Sequence, residues 1–297
     1  EIMSITEAVS VMRSGKVVAN LKTNNTSPEE LAEKMVGRKV LLSIEKKEPK
    51  IGNKILTVKN LNHLSKDGVD ILKNVSFSIS EGEILGVAGV AGNGQSELLD
   101  ILSGIEQLQR GEIEINQTRL LPGEKWHPKK VREMGVAHVP EDRQKRGLIL
   151  PFYNYENSIL GYQRRERYSS GLLLDKNKII NLFTQTAEQF DVRPRNPNIA
   201  SNKLSGGNQQ KLVLAREIQS QPKILLIGQP TRGVDIGAIE RIYEDLLRLK
   251  ESGTAILLVS VELDEIMSLS DRIIVMNQGK IVGEIMGSNA TEIELGK

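Results

Sequence analysis

The chain has 297 residues, 39% of them hydrophobic and 26% charged, with 40 Lys and Arg against 38 Asp and Glu. That balance suits a chain that buries apolar cores, and a length well beyond ~150 residues gives a prior of about two domains. With no cysteine, three scattered histidines (His63, His127, His138) and 3% aromatics, it is poorly supplied for disulfide scaffolds, thiol chemistry, Cys- or His-built metal centres and stacked-ring RNA platforms. The signs of charge are interspersed, so neither nucleic acid nor a membrane surface is called for. No apolar run approaches the ~20 residues of a membrane span. The start, Glu1-Ile2-Met3-Ser4, lacks the basic region and apolar stretch of a signal peptide. A cytosolic location is expected.

In chain order, EIMSITEAVSVMRSGKVV (Glu1 to Val18) comes first and matches EIMSLSDRIIVMNQGKIV (Glu265 to Val282) at a constant offset of 264, with nine of eighteen positions identical. Chance convergence of two helix-strand pieces is one reading. Gly15 and Gly279 mark the same turn, which favours the other: the tail of one domain copy followed by a second copy. The expected layout is a tail over 1–38, a linker over 39–53 and the second copy over 54–297. Ser27-Pro28 with early glutamates signals a helix start. IEKKEPKIGNK, charged and broken by Pro49 and Gly52, reads as the linker.

From Lys54, ILTVKNL and ILKNVSFSI read as neighbouring strands joined around Lys66-Asp67-Gly68. EILGVAGV is a buried strand running into a glycine-rich turn and the helix SELLDILSG. GEIEIN and GVAHVP are further strands. Over 147–203 the strand signal fades and helical stretches take over, NKIINLFTQTAEQF being the clearest. The helix QQKLVLAREIQS, the buried strand KILLIG, the helix GAIERIYEDLLRLKESG and the buried strand AILLVS close the order. Strands separated by helices predict an α/β fold with a mostly parallel sheet covered on both faces, the helical insertion forming a subdomain.

Gly89-Val90-Ala91-Gly92-Asn93-Gly94-Gln95-Ser96 sits between strand and helix with the spacing G-x-x-x-x-G-K-[ST], except that Gln95 holds the lysine position. Such a loop aims backbone N–H groups at phosphate oxygens, helped by the helix N-terminus. Gln95 offers a neutral hydrogen bond where lysine would add a charge-assisted one of ~1.5–3 kcal/mol, and Glu97 would repel a polyphosphate. A corner with glycines for packing alone is the competing reading of this loop. Leu204-Ser205-Gly206-Gly207-Asn208-Gln209-Gln210-Lys211 then places a helix N-cap at Ser205, with glycines that admit an anion to the helix end. ILLIGQPTRGVD (Ile224 to Asp235) follows.

Together AGVAGNGQSEL, VPEDR, LSGGNQQK and PTRGVD resemble the ATP-binding-cassette family over Lys54 to Val282. Within it they are most similar to the second cassette of the duplicated ATP-binding subunit of bacterial simple-sugar and ribonucleoside importers. The resemblance implies a P-loop NTPase fold with a mostly parallel RecA-like core, an antiparallel β subdomain and a helical subdomain over 147–203. It implies ATP and Mg2+ as cofactors, and as partners an upstream cassette, membrane permease subunits and, indirectly, an extracellular solute-binding protein. A peripheral position on the cytoplasmic face of the cell membrane follows, with no nucleic acid. By the same resemblance Gly89, Gly92, Asn93, Gly94, Gln95 and Ser96 are nucleotide-binding residues of the P-loop. Ser205, Gly206, Gly207 and Gln209 are the signature residues that close over the γ-phosphate of an ATP held by the other cassette, and Asp235 of the D-loop braces that interface.

Against the family pattern, Gly228 and Gln229 stand where the Walker B strand carries Asp and Glu. Val261 replaces the switch histidine, Glu141 replaces the Q-loop glutamine, and near the loop only His63 and Ser65 stand where a stacking aromatic is expected. General-base help alone is worth ~10²- to 10⁴-fold, so negligible turnover by this half is expected, with no catalytic or metal residue assigned. Competing readings are an autonomous ATPase, with Glu141 or Glu262 as base, and a soluble cassette acting on ribosomes or DNA. LILPFYNYENSIL reads as a permease-docking surface or as a loop packed on its own subdomain, and Arg164-Arg165-Glu166-Arg167 as a solvated helix face.

Overall fold

The computed structural model describes residues 2–13, 15–37, 50–170 and 173–296. Most of the expected 39–53 linker therefore lies outside the described residues. The chain opens with the antiparallel hairpin β1 (Ala8–Arg13) and β2 (Lys16–Lys22). The helix Pro28–Val36 follows. Ser27 caps it by accepting from the Glu30 N–H, Pro28 fits its first turn, and Gly37 ends it at φ 87°.

β3 (Lys54–Leu64), β4 (Asp70–Ser80), β6 (Arg110–Ile115) and β7 (Thr118–Leu120) make a four-stranded antiparallel sheet in the order β4-β3-β6-β7. Along β4 the buried Val75, Phe77 and Ile79 alternate with more exposed residues, as a sheet with one wet face requires. β5 (Ile84–Ala88), β8 (Val136–Val139), β11 (Ile224–Gly228) and β12 (Ala255–Val259) join β13 (Arg272–Asn277) and β14 (Lys280–Met286) in a six-stranded sheet. Its order is β14-β13-β5-β12-β11-β8, parallel throughout except for β14. A short hairpin, β9 (Ser169–Ser170) with β10 (Leu173–Leu174), lies in the largely helical segment over 147–203.

β5, β11 and β12 are buried at every position, because both faces of the sheet are covered. Successive residues feed opposite cores. Leu85 and Val87 pack with the antiparallel sheet and the P-loop helix Gln95–Leu102, whereas Ile84 and Ala88 pack with the signature helix Gly206–Ile218 and the D-loop helix Ile236–Glu251. The expected architecture is thus observed, antiparallel and helical parts included.

The internal repeat extends to backbone detail. All six residue pairs of β1 with β2, from Ala8↔Lys22 to Arg13↔Lys16, recur in β13 with β14, from Arg272↔Met286 to Asn277↔Lys280, at the same offset. The bulge between Val11 and Met12 recurs between Val275 and Met276. Both hairpins are followed by a 3₁₀ turn and then a helix whose N-cap hydroxyl, Ser27 or Thr291, accepts from the third residue onward. Gly15 and Gly279 turn the two hairpins at φ 77° and 78°.

A buried charge cluster ties the signature helix to the rest. Glu217 is fully buried and receives Arg132 Nη1 at 2.9 Å, Arg216 Nε at 2.8 Å and the Tyr162 hydroxyl at 2.5 Å. Burial opposes its charge, but Arg132 and Arg216 outweigh that and hold the carboxyl down at about 2. Arg216 also donates to the Gly147 and Asn157 carbonyls, at 2.8 and 3.2 Å.

Two stability tests follow. Glu217→Gln, which strands two arginines, should cost about 3–5 kcal/mol in chemical denaturation. Because the folded-state value is depressed, Glu217's contribution should be present above the unfolded value of ~4.3 and disappear as pH falls toward 2. A stability that is flat across that window and equal in the variant would contradict this. Secondly, a Cβ on Gly279 would overlap the Ile71 carbonyl, whereas one on Gly15 would meet nothing within 4 Å. Gly15→Ala should cost about 1–2 kcal/mol of backbone strain, and Gly279→Ala about 2–4 kcal/mol. Equal losses would show that the two turns are packed alike.

Candidate functional site

Parallel strands that end at one edge deliver their following loops to one place. Here β5 delivers Gly89 to Gly94, β8 delivers Glu141, β11 delivers Gln229 and β12 delivers Val261. They line an open cleft of about 1110 Å³, closed on its far side by Thr231 to Gly233. The glycine-rich loop closes tightly on its surroundings. Gly94 has φ 98°, and a Cβ there would meet Leu72 Cδ2 at 2.7 Å.

Gln95 is buried and turned into its own loop. Its Oε1 accepts from the Asn93 N–H at 3.1 Å and its Nε2 donates to the Val90 carbonyl at 3.2 Å. The Asn93 N–H of the loop is thereby engaged by its own segment. Asn93 is held from the other side, its Oδ1 accepting from the Gln278 N–H at 2.8 Å. The exposed Ser96 hydroxyl donates to Glu141 Oε2. The position of Gly228 explains why Glu141 can reach it: a Cβ on Gly228 would overlap Glu141 Cγ and stand 3.0 Å from Leu99 Cδ1.

Gly228, Gln229 and Val261 stand at the ends of β11 and β12, where metal, base and switch residues are expected. Gln229, 8% exposed, ends β11 in the left-handed region at φ 51°, its N–H donating to the Val259 carbonyl at 2.8 Å. Val261 presents an exposed isopropyl group to the cleft. Glu265, which belongs to no motif, is buried on the cleft wall, and burial pushes it up to about 6. Among the described residues lining the cleft, five are carboxylates (Glu29, Glu141, Glu262, Asp264, Glu265) and Arg232 is the one cation. Among the described residues no group of three or more His, Cys, Asp or Glu could hold a metal unaided.

The signature segment does not line this cleft. Ser205 is exposed and caps its helix, accepting from the Asn208 N–H at 3.4 Å. A Cβ on Gly206 would stand 2.6 Å from Arg143 Nη2, and one on Gly207 would stand 3.3 Å from the Gly233 carbonyl. Arg143 in turn donates to the Arg232 carbonyl at 2.8 Å, bridging signature and D-loop. Partial burial and the neighbouring Arg232 both lower its pKa.

Gln209 departs from the expectation. Helical rotation turns it inward with Gln210, and it is 3% exposed, donating to the Ser201 carbonyl at 3.1 Å and accepting from Gln144 Nε2 at 3.0 Å. Asn208, half-buried in the first turn, is the fifth letter of the LSGGN segment and holds Ser205 Oγ at 2.9 Å through its amide. Counting five letters from Leu204 would have found it. Asp235 caps the helix Ile236–Glu251 by accepting from the Ala238 N–H at 3.0 Å.

A family described as ABC transporter matches residues 72–232. The guanosine import ATP-binding protein NupO of Bacillus subtilis (strain 168) is 38% identical over 292 residues, which is 98% of this chain and 57% of that protein. The nucleoside import ATP-binding protein NupA of Lactococcus lactis subsp. cremoris (strain MG1363) is 38% identical over 296 residues, 100% of this chain and 58% of that protein. The ribose import ATP-binding protein RbsA of Clostridium tetani (strain Massachusetts / E88) is 36% identical over 297 residues, covering 100% and 57%. The chain thus spans a little over half the length of these relatives. Among solved structures, the dimeric bacterial ABC transporter cassette MJ0796 superposes with a TM-score of 0.66 at 24% identity, over 78% of this chain and 98% of that one, a likeness of fold.

If Gln95 fills the place of a cation, Gln95→Lys should tighten ATP binding by about 1.5–3 kcal/mol, or roughly 10- to 150-fold, in calorimetric titration. Unchanged affinity would mean that the glutamine is not what limits the loop.

Proposed function

This chain belongs to the ABC transporter family of ATP-binding cassettes, and from that premise we propose that it is the weakened second cassette of an ATP-binding subunit that powers import of a sugar or nucleoside into a bacterial cell. The observation that carries the proposal is the contrast between its two edges. Its own cleft has Gly228, Gln229 and Val261 where ligand, base and switch residues are needed, so those three positions carry no group that binds a metal or takes a proton from water. Its signature edge retains an exposed, capped helix N-terminus at Ser205, with Gly206 and Gly207 bare of side chains. Such an edge can stabilise the γ-phosphate of an ATP seated on another cassette.

That other cassette would precede residue 1. The shared register of the two hairpins supports a duplicated domain, of which residues 1–38 would be the tail of the first copy. ATP with Mg2+ is the cofactor. The relatives' roles in guanosine, nucleoside and ribose import support a sugar or nucleoside as the substrate class. Permease subunits are the membrane partners, reached from the cytoplasmic face, and a solute-binding protein acts outside through them. Among the described residues no helix is long and apolar enough to cross a membrane. Ile149, Phe152 and Tyr153, exposed at the start of the helical subdomain beside the Q-loop turn, give the permease an apolar docking surface.

In a subunit carrying both cassettes, Ser205→Arg should abolish ATP turnover by placing a bulky side chain at the signature edge, while Gln95→Ala should leave most of it. Equal loss in both variants, read as phosphate release, would contradict the division of labour.

A further inference from the structure

We propose that the basic hairpin face of the helical subdomain, formed by Arg164, Arg165, Arg167, Leu173, Leu174 and Lys176, is a contact surface for an anionic lipid bilayer. The sequence over 164–178 carries five Lys and Arg against two acids, Glu166 and Asp175, a net of +3 where the whole chain has +2. Arg164-Arg165-Glu166-Arg167, expected as a solvated helix face, is instead followed from Glu166 by a 3₁₀ turn, Glu166–Tyr168, that runs into β9. β9 pairs with β10, Leu174 lying opposite Ser169, and the Asp175 N–H donates to the Tyr168 carbonyl at 3.0 Å. The segment is thus folded back on itself, which brings its arginines, its leucines and Lys176 together.

The cations of this face have no acidic partner. Asp175 pairs with Lys178 at 3.8 Å, and among the described residues Arg164, Arg165, Arg167 and Lys176 form no ion pair. Tyrosine rings hold three of them instead: Arg165 stands over Tyr162 at 4.5 Å, Arg167 over Tyr168 at 4.7 Å and Lys176 over Tyr155 at 5.3 Å. A ring fixes a cation without neutralising it, and Tyr162 is itself locked by its bond to Glu217. The charge is therefore positioned for an external anion. Leu173 and Leu174, 77% and 53% exposed, add an aliphatic patch at the same place. Cations beside exposed leucines match the headgroup and acyl layers of a bilayer interface. A polynucleotide would need exposed rings on which to stack its bases, and Tyr162 and Tyr168 are buried. Tyr155 also stacks on the exposed Tyr153 at 5.9 Å, so the basic face continues into the apolar surface offered to the permease. The lipid contact does not depend on that permease reading, since the face belongs to this chain alone.

The test is co-sedimentation of this chain with vesicles of phosphatidylcholine, with and without phosphatidylglycerol, at low and at high salt. Binding should require phosphatidylglycerol and fall as salt rises. Each Lys or Arg near such a surface is worth about fivefold in partitioning, so Arg164→Glu combined with Lys176→Glu should weaken it by about 25-fold or more. Leu173→Ser combined with Leu174→Ser should weaken it by about tenfold. All four positions are exposed, so Tm should stay where it is. Leu174→Trp gives a direct readout. Its emission should shift to the blue on vesicles, over a constant background from Trp126, the one native tryptophan, which is 3% exposed. No sedimentation of the wild-type chain, equal binding to pure phosphatidylcholine, or partitioning unchanged in either double variant each overturns the proposal. So does an unshifted Leu174→Trp emission. Binding of polyadenylate that displaces the vesicles and is lost with Arg164→Glu and Lys176→Glu would assign the face to nucleic acid and overturn it too. None of these results bears on the reading of the cleft and the signature edge, which phosphate release tests.

Discussion

The parallel pairing of β13, β5, β12, β11 and β8 sends the loops after Ala88, Val139, Gly228 and Val259 out of one edge of the sheet, and the cleft is a consequence of that registration. Ile227 pairs with Val139 and Gly228 with Val259, so β8, β11 and β12 end level with one another. Side chains at adjacent strand ends must then share volume. A change at Gly228 is therefore a change at Glu141, and through the Ser96 hydroxyl it reaches the glycine-rich loop. Registration is constrained by packing on both faces, since a one-residue slip would exchange the two cores that Ile84 and Leu85 feed.

Below that edge, the signature helix is anchored at its far end by the buried cluster of Glu217, Arg132, Arg216 and Tyr162. Arg216 reaches the carbonyls of Gly147, at the end of the Q-loop turn, and of Asn157 in the helical subdomain. At its near end Arg143, from the start of the same Q-loop turn, spans from Gly206 to the Arg232 carbonyl. The helix therefore meets one segment, 143–147, at both ends, through Gln144 on Gln209 and the Gly147 carbonyl on Arg216. Buried ion pairs are weak evidence for net stability but strong constraints on geometry once both partners are in place, which suits a connecting role.

Much of this was legible in the chain. The apolar runs ILLIG and AILLV announced buried parallel strands because nothing polar interrupts them, and Ser27-Pro28 announced a helix start by its capping chemistry. The offset repeat around Gly15 and Gly279 pointed to a shared turn, whereas the common register and bulge of the two hairpins are visible only in the structure. The glycine-rich loop could be located from its spacing, and the signature and the altered Gly228, Gln229 and Val261 from the resemblance to the family. Side-chain direction could not. Gln95 folds back onto Asn93 and Val90, and Gln209 turns inward, because helix phase and local donors decide orientation, and a motif records only identity. The link between Gly228 and Glu141 was also hidden, since residues far apart in the chain become neighbours only when β8 and β11 pair.

On the proposed reading, the cleft of this chain does not hydrolyse ATP, and the signature edge serves an ATP held by another cassette. The most direct measurement is inorganic phosphate release from Mg2+-ATP by the purified chain on its own, followed over many turnovers' worth of time. The account predicts release at the level of buffer. Sustained magnesium-dependent release that is proportional to the concentration of the chain would contradict it.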